Sequence, residues 1–82
     1  MLRVLLIDDN QGDRLLAIRE LKKTFSDLQV QEVSEANELT PALAQGAFDL
    51  VITDYQLRWS NGLEILQTIK SRYPHCPVVM FI

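Results

Sequence analysis

Cysteine is nearly missing from this sequence: Cys76 is the only one, so no internal disulfide can form, and a reducing, cytoplasmic setting is the expectation. Histidine is just as scarce. His75 stands alone beside Cys76, and one neighbouring His–Cys pair does not supply the ligands of a zinc site. No apolar run approaches the roughly 20 residues that cross a bilayer. The N-terminus, with Arg3 and a short apolar run closed by two acids, lacks the plan of a signal peptide, so no membrane partner is expected. Basic clusters are also lacking. Eight Lys and Arg against eleven Asp and Glu give a net charge of −3, mixed along the chain, which argues against a nucleic-acid surface. Neither a P-loop nor a G-x-G-x-x-G occurs, so nucleotide binding has no support. Repeats, low-complexity tracts and linkers are absent. With 82 residues, 48% hydrophobic and 23% charged, the chain has a globular composition and is one domain at most, near the lower size limit for a self-sufficient core.

What is present alternates between two periods. Val4-Leu5-Leu6-Ile7 is a continuous apolar run ending at Asp8-Asp9, the pattern of a strand buried on both faces. Asn10, with Asp13 three residues on, reads as a helix N-cap; Leu15, Ile18, Leu21 and Phe25 follow at helical spacing, with Lys22-Lys23 near the end. Leu28 to Ser34 alternates imperfectly, as an edge strand would. Asn37 or Thr40 is the expected cap of a short second helix starting close to Pro41, with Gly46 as its stop. Leu50-Val51-Ile52-Thr53 is a second buried run that ends on an acid, Asp54. Tyr55 to Ser60 reads as a loop. Asn61 and Glu64 form a capping-box pattern ahead of Leu63, Leu66, Ile69 and Tyr73, and Val78 to Ile82 is a last buried-type strand. The order β-α-β-α-β-α-β implies a parallel sheet with crossover helices.

Two buried runs therefore end in acids, Asp8 and Asp9 after the first expected strand and Asp54 after the third. In open α/β sheets, ligands sit beyond the carboxyl ends of the strands, where strand order reverses. If the first and third strands are neighbours, the three carboxylates converge on one cleft. Their mutual repulsion calls for a cation, and oxygen donors suit a hard divalent ion, Mg²⁺ first and Mn²⁺ second. A carboxylate beside such an ion can act as a nucleophile toward phosphorus. Taken singly, each acid is more often a solvated loop residue than a ligand; the pair plus the single acid is what points to a functional cleft.

Leu5-Leu6-Ile7-Asp8-Asp9-Asn10 resembles the first strand and acid pair of response-regulator receiver domains. Phe48-Asp49-Leu50-Val51-Ile52-Thr53-Asp54 is similar to their third strand, Gly62 to the glycine that opens their third helix, and Pro77-Val78-Val79-Met80 to the start of their fourth strand. The resemblance implies a flavodoxin-like, three-layer α/β/α fold of which residues 1–82 supply β1 to β4. It implies Asp54 as phosphoacceptor, and Asp8, Asp9, Asp54 and the main-chain carbonyl of Gln56 as Mg²⁺ ligands. The implied partner is a histidine kinase or phosphotransfer protein, in a two-component phosphorelay rather than as a turnover enzyme. An aspartate-nucleophile phosphatase would need a D-x-D pattern, which Asp8-Asp9-Asn10 does not give.

The sequence departs from the receiver pattern in places. Arg58 stands where the family usually has proline. Ile82 falls where receivers place a Ser or Thr whose hydroxyl binds the phosphoryl group. A fourth helix, a fifth strand with its lysine, and a fifth helix are not in the sequence. These departures favour an alternative, a switching-incompetent receiver-fold fragment that acts as an interaction or assembly module. They also lead to the expectation of self-association through the last strand. Trp59 and Tyr55 are open between partner contact and local packing, and Cys76 and His75 are expected to be structural.

Overall fold

The structure, a computed structural model, describes residues 1–46 and 48–81. Seven elements follow in the order β1 (Leu2–Ile7), α1 (Gln11–Thr24), β2 (Leu28–Val33), α2 (Ala36–Gln45), β3 (Leu50–Asp54), α3 (Gly62–Arg72) and β4 (Val78–Phe81). The strands form one parallel sheet in the order β2-β1-β3-β4. The chain thus winds outward from β1 to β2, then returns past β1 to place β3 on its other side. That reversal puts a crevice between β1 and β3 at their carboxyl ends.

Alternation along β1 and β3 divides the core into two layers. Leu5, Ile7 and Val51 point toward α2 and α3, where they meet Val33, Leu43, Ile65, Ile69 and Cys76. Val4, Leu6 and Ile52 point the other way, toward Ala17, Ile18 and Leu21 of α1. Both strands are therefore covered on both faces, which is why their apolar runs are unbroken. The two layers are unequal. No residue of α1 is fully buried, and Leu15 and Phe25, two members of the stripe read at helical spacing, are exposed. Among the described residues α1 is the one helix on its face of the sheet, so its outer flank meets nothing.

Three sequence expectations need correction. The second helix starts at Ala36, a turn before the expected position, and Pro41 lies inside it. Neither Asn37 nor Thr40 caps it. The Glu38 carboxylate accepts the Ser34 and Glu35 N–H groups at 2.9 and 2.8 Å, closing the N-terminus from within the first turn. Those two bonds hold the Glu38 carboxyl below its ordinary range. In α3 the buried stripe runs through Gly62, Ile65 and Ile69, and Leu63 faces solvent. Finally, β4 is only half buried: Val79 and Phe81 are exposed, and Ile82 lies outside the described residues. Other punctuation stands as read. Gly46 ends α2 at a φ of 66°, a left-handed conformation that suits glycine. Asn10 and Asn61 cap α1 and α3 by accepting the Asp13 and Glu64 N–H groups.

Candidate functional site

Strand register brings the acids together. β1 and β3 pair with Ile7 opposite Thr53, so Asp8 and Asp54, each the next residue, leave the sheet side by side. Asp9 follows. One carboxylate oxygen from each of Asp8, Asp9 and Asp54 lies within 4.8 Å of the other two. Oxygens bound to one Mg²⁺ at about 2.1 Å are at most about 4.2 Å apart, so a small contraction fits this donor set to a hard ion. The conditional expectation from the sequence, that the first and third strands are neighbours and their acids converge, holds.

The three carboxylates differ in setting. Asp8 is buried, with one oxygen accepting the Asn10 N–H at 2.9 Å. Burial pushes its carboxyl above the ordinary range; the Asn10 N–H opposes this, and the charges of Asp54, Asp13 and Asp9 add to it. Arg14 braces the same turn from behind, its Nη1 donating to the Asp8 carbonyl at 2.7 Å and its Nε to Glu32 at 3.0 Å. Asp54 is half-buried at the mouth of the crevice, where its Oδ1 is 3.4 Å from the Gln56 amide nitrogen. Gln56 itself is exposed, and it bridges to Asn61 across the loop. Asp9 accepts from the far loop, at its Oδ2, the Arg58 N–H at 2.7 Å.

Around the acids, Trp59 turns inward. Its Nε1–H donates to the Ser34 carbonyl at 2.8 Å and its ring packs on the α2–α3 core, so its role is local packing. Cys76 is buried, with burial raising its thiol pKa, and His75 is exposed. On the opposite side an open groove of about 710 Å³ runs away from Asp8 and Asp54 between α1 and the sheet, with Leu6, Leu16, Leu21, Ile52 and Phe81 along it. Sequence reading missed Arg14 and the Asp9–Arg58 contact. The second joins residues 49 apart and carries no local signal.

A parallel sheet of this strand order, with acids at its β1/β3 crevice, defines a flavodoxin-like α/β domain. The chain belongs to the response regulator receiver domain family, whose model matches residues 4–81. It is 37% identical over 79 residues to the response regulator protein PilR of Pseudomonas aeruginosa, covering 95% of this chain and 17% of PilR. To the chemotaxis protein CheY of the same organism it is 30% identical, covering 96% of this chain and 64% of CheY. The chain thus spans under two thirds of the length of these relatives. Among solved structures, it superimposes on the response regulator TrrA of Thermotoga maritima in complex with Mg²⁺–BeF with a TM-score of 0.84 and 25% identity, covering 98% of this chain and 68% of that one. TrrA has also been solved in complex with the histidine kinase ThkA. Among the described residues, no helix is long and apolar enough to cross a membrane.

Proposed function

We propose that this chain is the β1 to β4 portion of a phosphorelay receiver, in which Asp54 accepts a phosphoryl group from a phosphohistidine of a partner histidine kinase or phosphotransfer protein. The observation that carries this reading is the meeting of Asp8, Asp9 and Asp54 within 4.8 Å. The donor set fits Mg²⁺, or Mn²⁺, with Asp8, Asp9, Asp54 and the Gln56 main-chain carbonyl as ligands. When bound, the ion offsets the charge on the transferring group and lowers the repulsion among the acids. The relative TrrA, solved with Mg²⁺–BeF and with a histidine kinase, supports both the ion and the partner class.

The residues divide the work by burial. Asp54 is half-buried, so its carboxylate is within reach of a donor at the crevice mouth. One of its oxygens attacks phosphorus as the P–N bond to the imidazole breaks, and the electron pair of that bond leaves with the ring nitrogen. The Asn10 N–H and the Arg14 contact to the Asp8 carbonyl hold the buried acid in place. The chain positions the reactants and does not turn over as an enzyme; any self-catalysed phosphorylation or dephosphorylation is weak. The cytoplasmic setting read from the single cysteine suits such a partner.

Incubation with acetyl phosphate and Mg²⁺, followed by intact-mass analysis, tests the reading. One phosphoryl group is expected on the wild type at low stoichiometry, since Ile82 offers no hydroxyl to hold it, and none on Asp54→Asn. Equal labelling of the two proteins removes Asp54 from the role.

A further inference from the structure

The loop that follows Asp54 brings a cation of its own to the cleft. Arg58 donates its backbone N–H to Asp9 Oδ2 at 2.7 Å, and its Nε lies 3.4 Å from the same oxygen. Nη2 of that guanidinium lies 3.7 Å from Glu35 Oε1, on the connection between β2 and α2. One residue on, Trp59 is fastened to the Ser34 carbonyl of the same connection. The Arg58–Trp59 pair thus ties together the connections after β1, β2 and β3. The chemistry proposed for Asp54 uses none of these contacts.

Charge explains why a cation sits there. Three carboxylates within 4.8 Å repel one another, and a guanidinium on Asp9 relieves part of that repulsion. A divalent ion at the cluster would give the same relief. The two cations would then share Asp9 and repel each other, so each weakens the other. We propose that Arg58 is a built-in counter-ion of Asp9 that competes with the divalent ion and sets the metal affinity of the site. This rests on the reading of Asp8, Asp9 and Asp54 as the metal site. Arg58 is suited to giving way. Its side chain is 72% exposed, so leaving Asp9 uncovers little, and Glu35 stands ready to receive it. Asp9, by contrast, is 15% exposed and stays fixed by the Arg58 backbone N–H, which no substitution at that position other than proline removes. Arg58 is therefore a positioning residue, acting on the metal through Asp9.

The test is a Mg²⁺ titration of the 82-residue chain, followed by the NMR amide shifts of Asn10 and Thr53, which lie outside the exchanged side chain. Loss of the Arg58 charge in Arg58→Gln is expected to tighten Mg²⁺ binding about two- to fivefold, the range of a partly exposed ion pair. Arg58→Lys should bind as the wild type does. High salt should shrink the gain, because the competition is electrostatic. In an Asp9→Asn background, Arg58→Gln should leave affinity unchanged. Glu35→Gln, which removes the receiving carboxylate, should weaken binding in the wild type and not in Arg58→Gln. A role limited to holding the loop would produce none of these couplings. Equal Mg²⁺ affinity in wild type and Arg58→Gln, or a gain that persists without the Asp9 carboxylate, overturns the proposal and leaves the metal site standing. Failure of both proteins to respond to Mg²⁺ overturns the metal site and the competition together.

Discussion

At the scale of single residues, the chemistry of this domain lies in where each acid is placed. Asp8, Asp9 and Asp54 could be picked out from the sequence because each ends or follows a buried run, and strand ends are where an α/β sheet keeps its ligands. Their unequal surroundings could not, since burial depends on what folds over them. Asp8 illustrates the consequence. Its folded pKa is raised above the ordinary value, by burial first and by Asp54, Asp13 and Asp9 next, against the Asn10 N–H. A raised acid favours the folded state only while protonated. Its contribution is present below the ordinary carboxylate range and is lost as pH rises through the raised folded value. At neutral pH without metal, charged Asp8 therefore works against the fold. Asp8→Asn keeps an oxygen for the Asn10 N–H and removes the charge. In EDTA at neutral pH it is expected to melt at a higher temperature than the wild type, with the gain fading toward acid pH. Mg²⁺ should raise the melting temperature of the wild type and not of the variant. A gain that is the same at every pH, or a variant still stabilised by Mg²⁺, would show that charge at Asp8 is not the cause.

At the scale of elements, the continuous apolar runs were legible as strands because β1 and β3 are covered on both faces. Helix limits were less so. The start of α2 is set by Glu38 reaching back to Ser34 and Glu35, a contact that outweighs the lack of an N–H at Pro41. The buried stripe of α3 is Ile65 and Ile69 because the helix enters the core at Gly62, and spacing alone cannot fix that starting angle. Gly62 is needed there for room. A Cβ on it would lie 2.7 Å from Met80 Sδ and 3.0 Å from the Tyr55 Cα. The sulfur sits on a flexible side chain and can give way, whereas the Tyr55 backbone, which accepts the Gly62 N–H at 2.7 Å, cannot. Gly62→Ala is therefore expected to destabilise the chain by about 1–3 kcal/mol, or about 4–8 °C in melting temperature for each kcal/mol at this size. Pairing it with Met80→Ala should recover only the part owed to the sulfur. Urea unfolding measures both, and a neutral Gly62→Ala would mean that α3 can shift outward at no cost.

At the scale of the whole molecule, the two edges of the sheet formed by the described residues differ in character. β2 carries Gln29, Gln31 and Glu32, polar residues that suit an edge strand. β4 is the opposite edge, with no charged residue in Val78–Phe81 and with Val79 and Phe81 about half exposed, at 46% and 49%. Beside it lies the groove between α1 and the sheet, whose rim includes Leu16, 57% exposed. Burying one such side chain contributes roughly 1.5–3 kcal/mol, a large share of the roughly 5–15 kcal/mol that holds a small domain together. Taken alone in solution, the 82-residue chain therefore gains most by covering this face. A second copy supplies a matching β4 edge, the last strand of the sheet among the described residues, and an equal apolar surface. Two β4 strands meeting about a two-fold axis would run antiparallel and pair their outward N–H and C=O groups, while Phe81 and Leu16 of each copy close over the other's groove. The expected outcome is a dimer at micromolar concentration by sedimentation velocity. Phe81→Lys places a charge at the centre of that contact and should shift the chain to monomer, with a lower melting temperature that no longer rises with protein concentration. A wild-type monomer whose melting temperature is independent of concentration and unaffected by Phe81→Lys would show that the open face is tolerated without a partner.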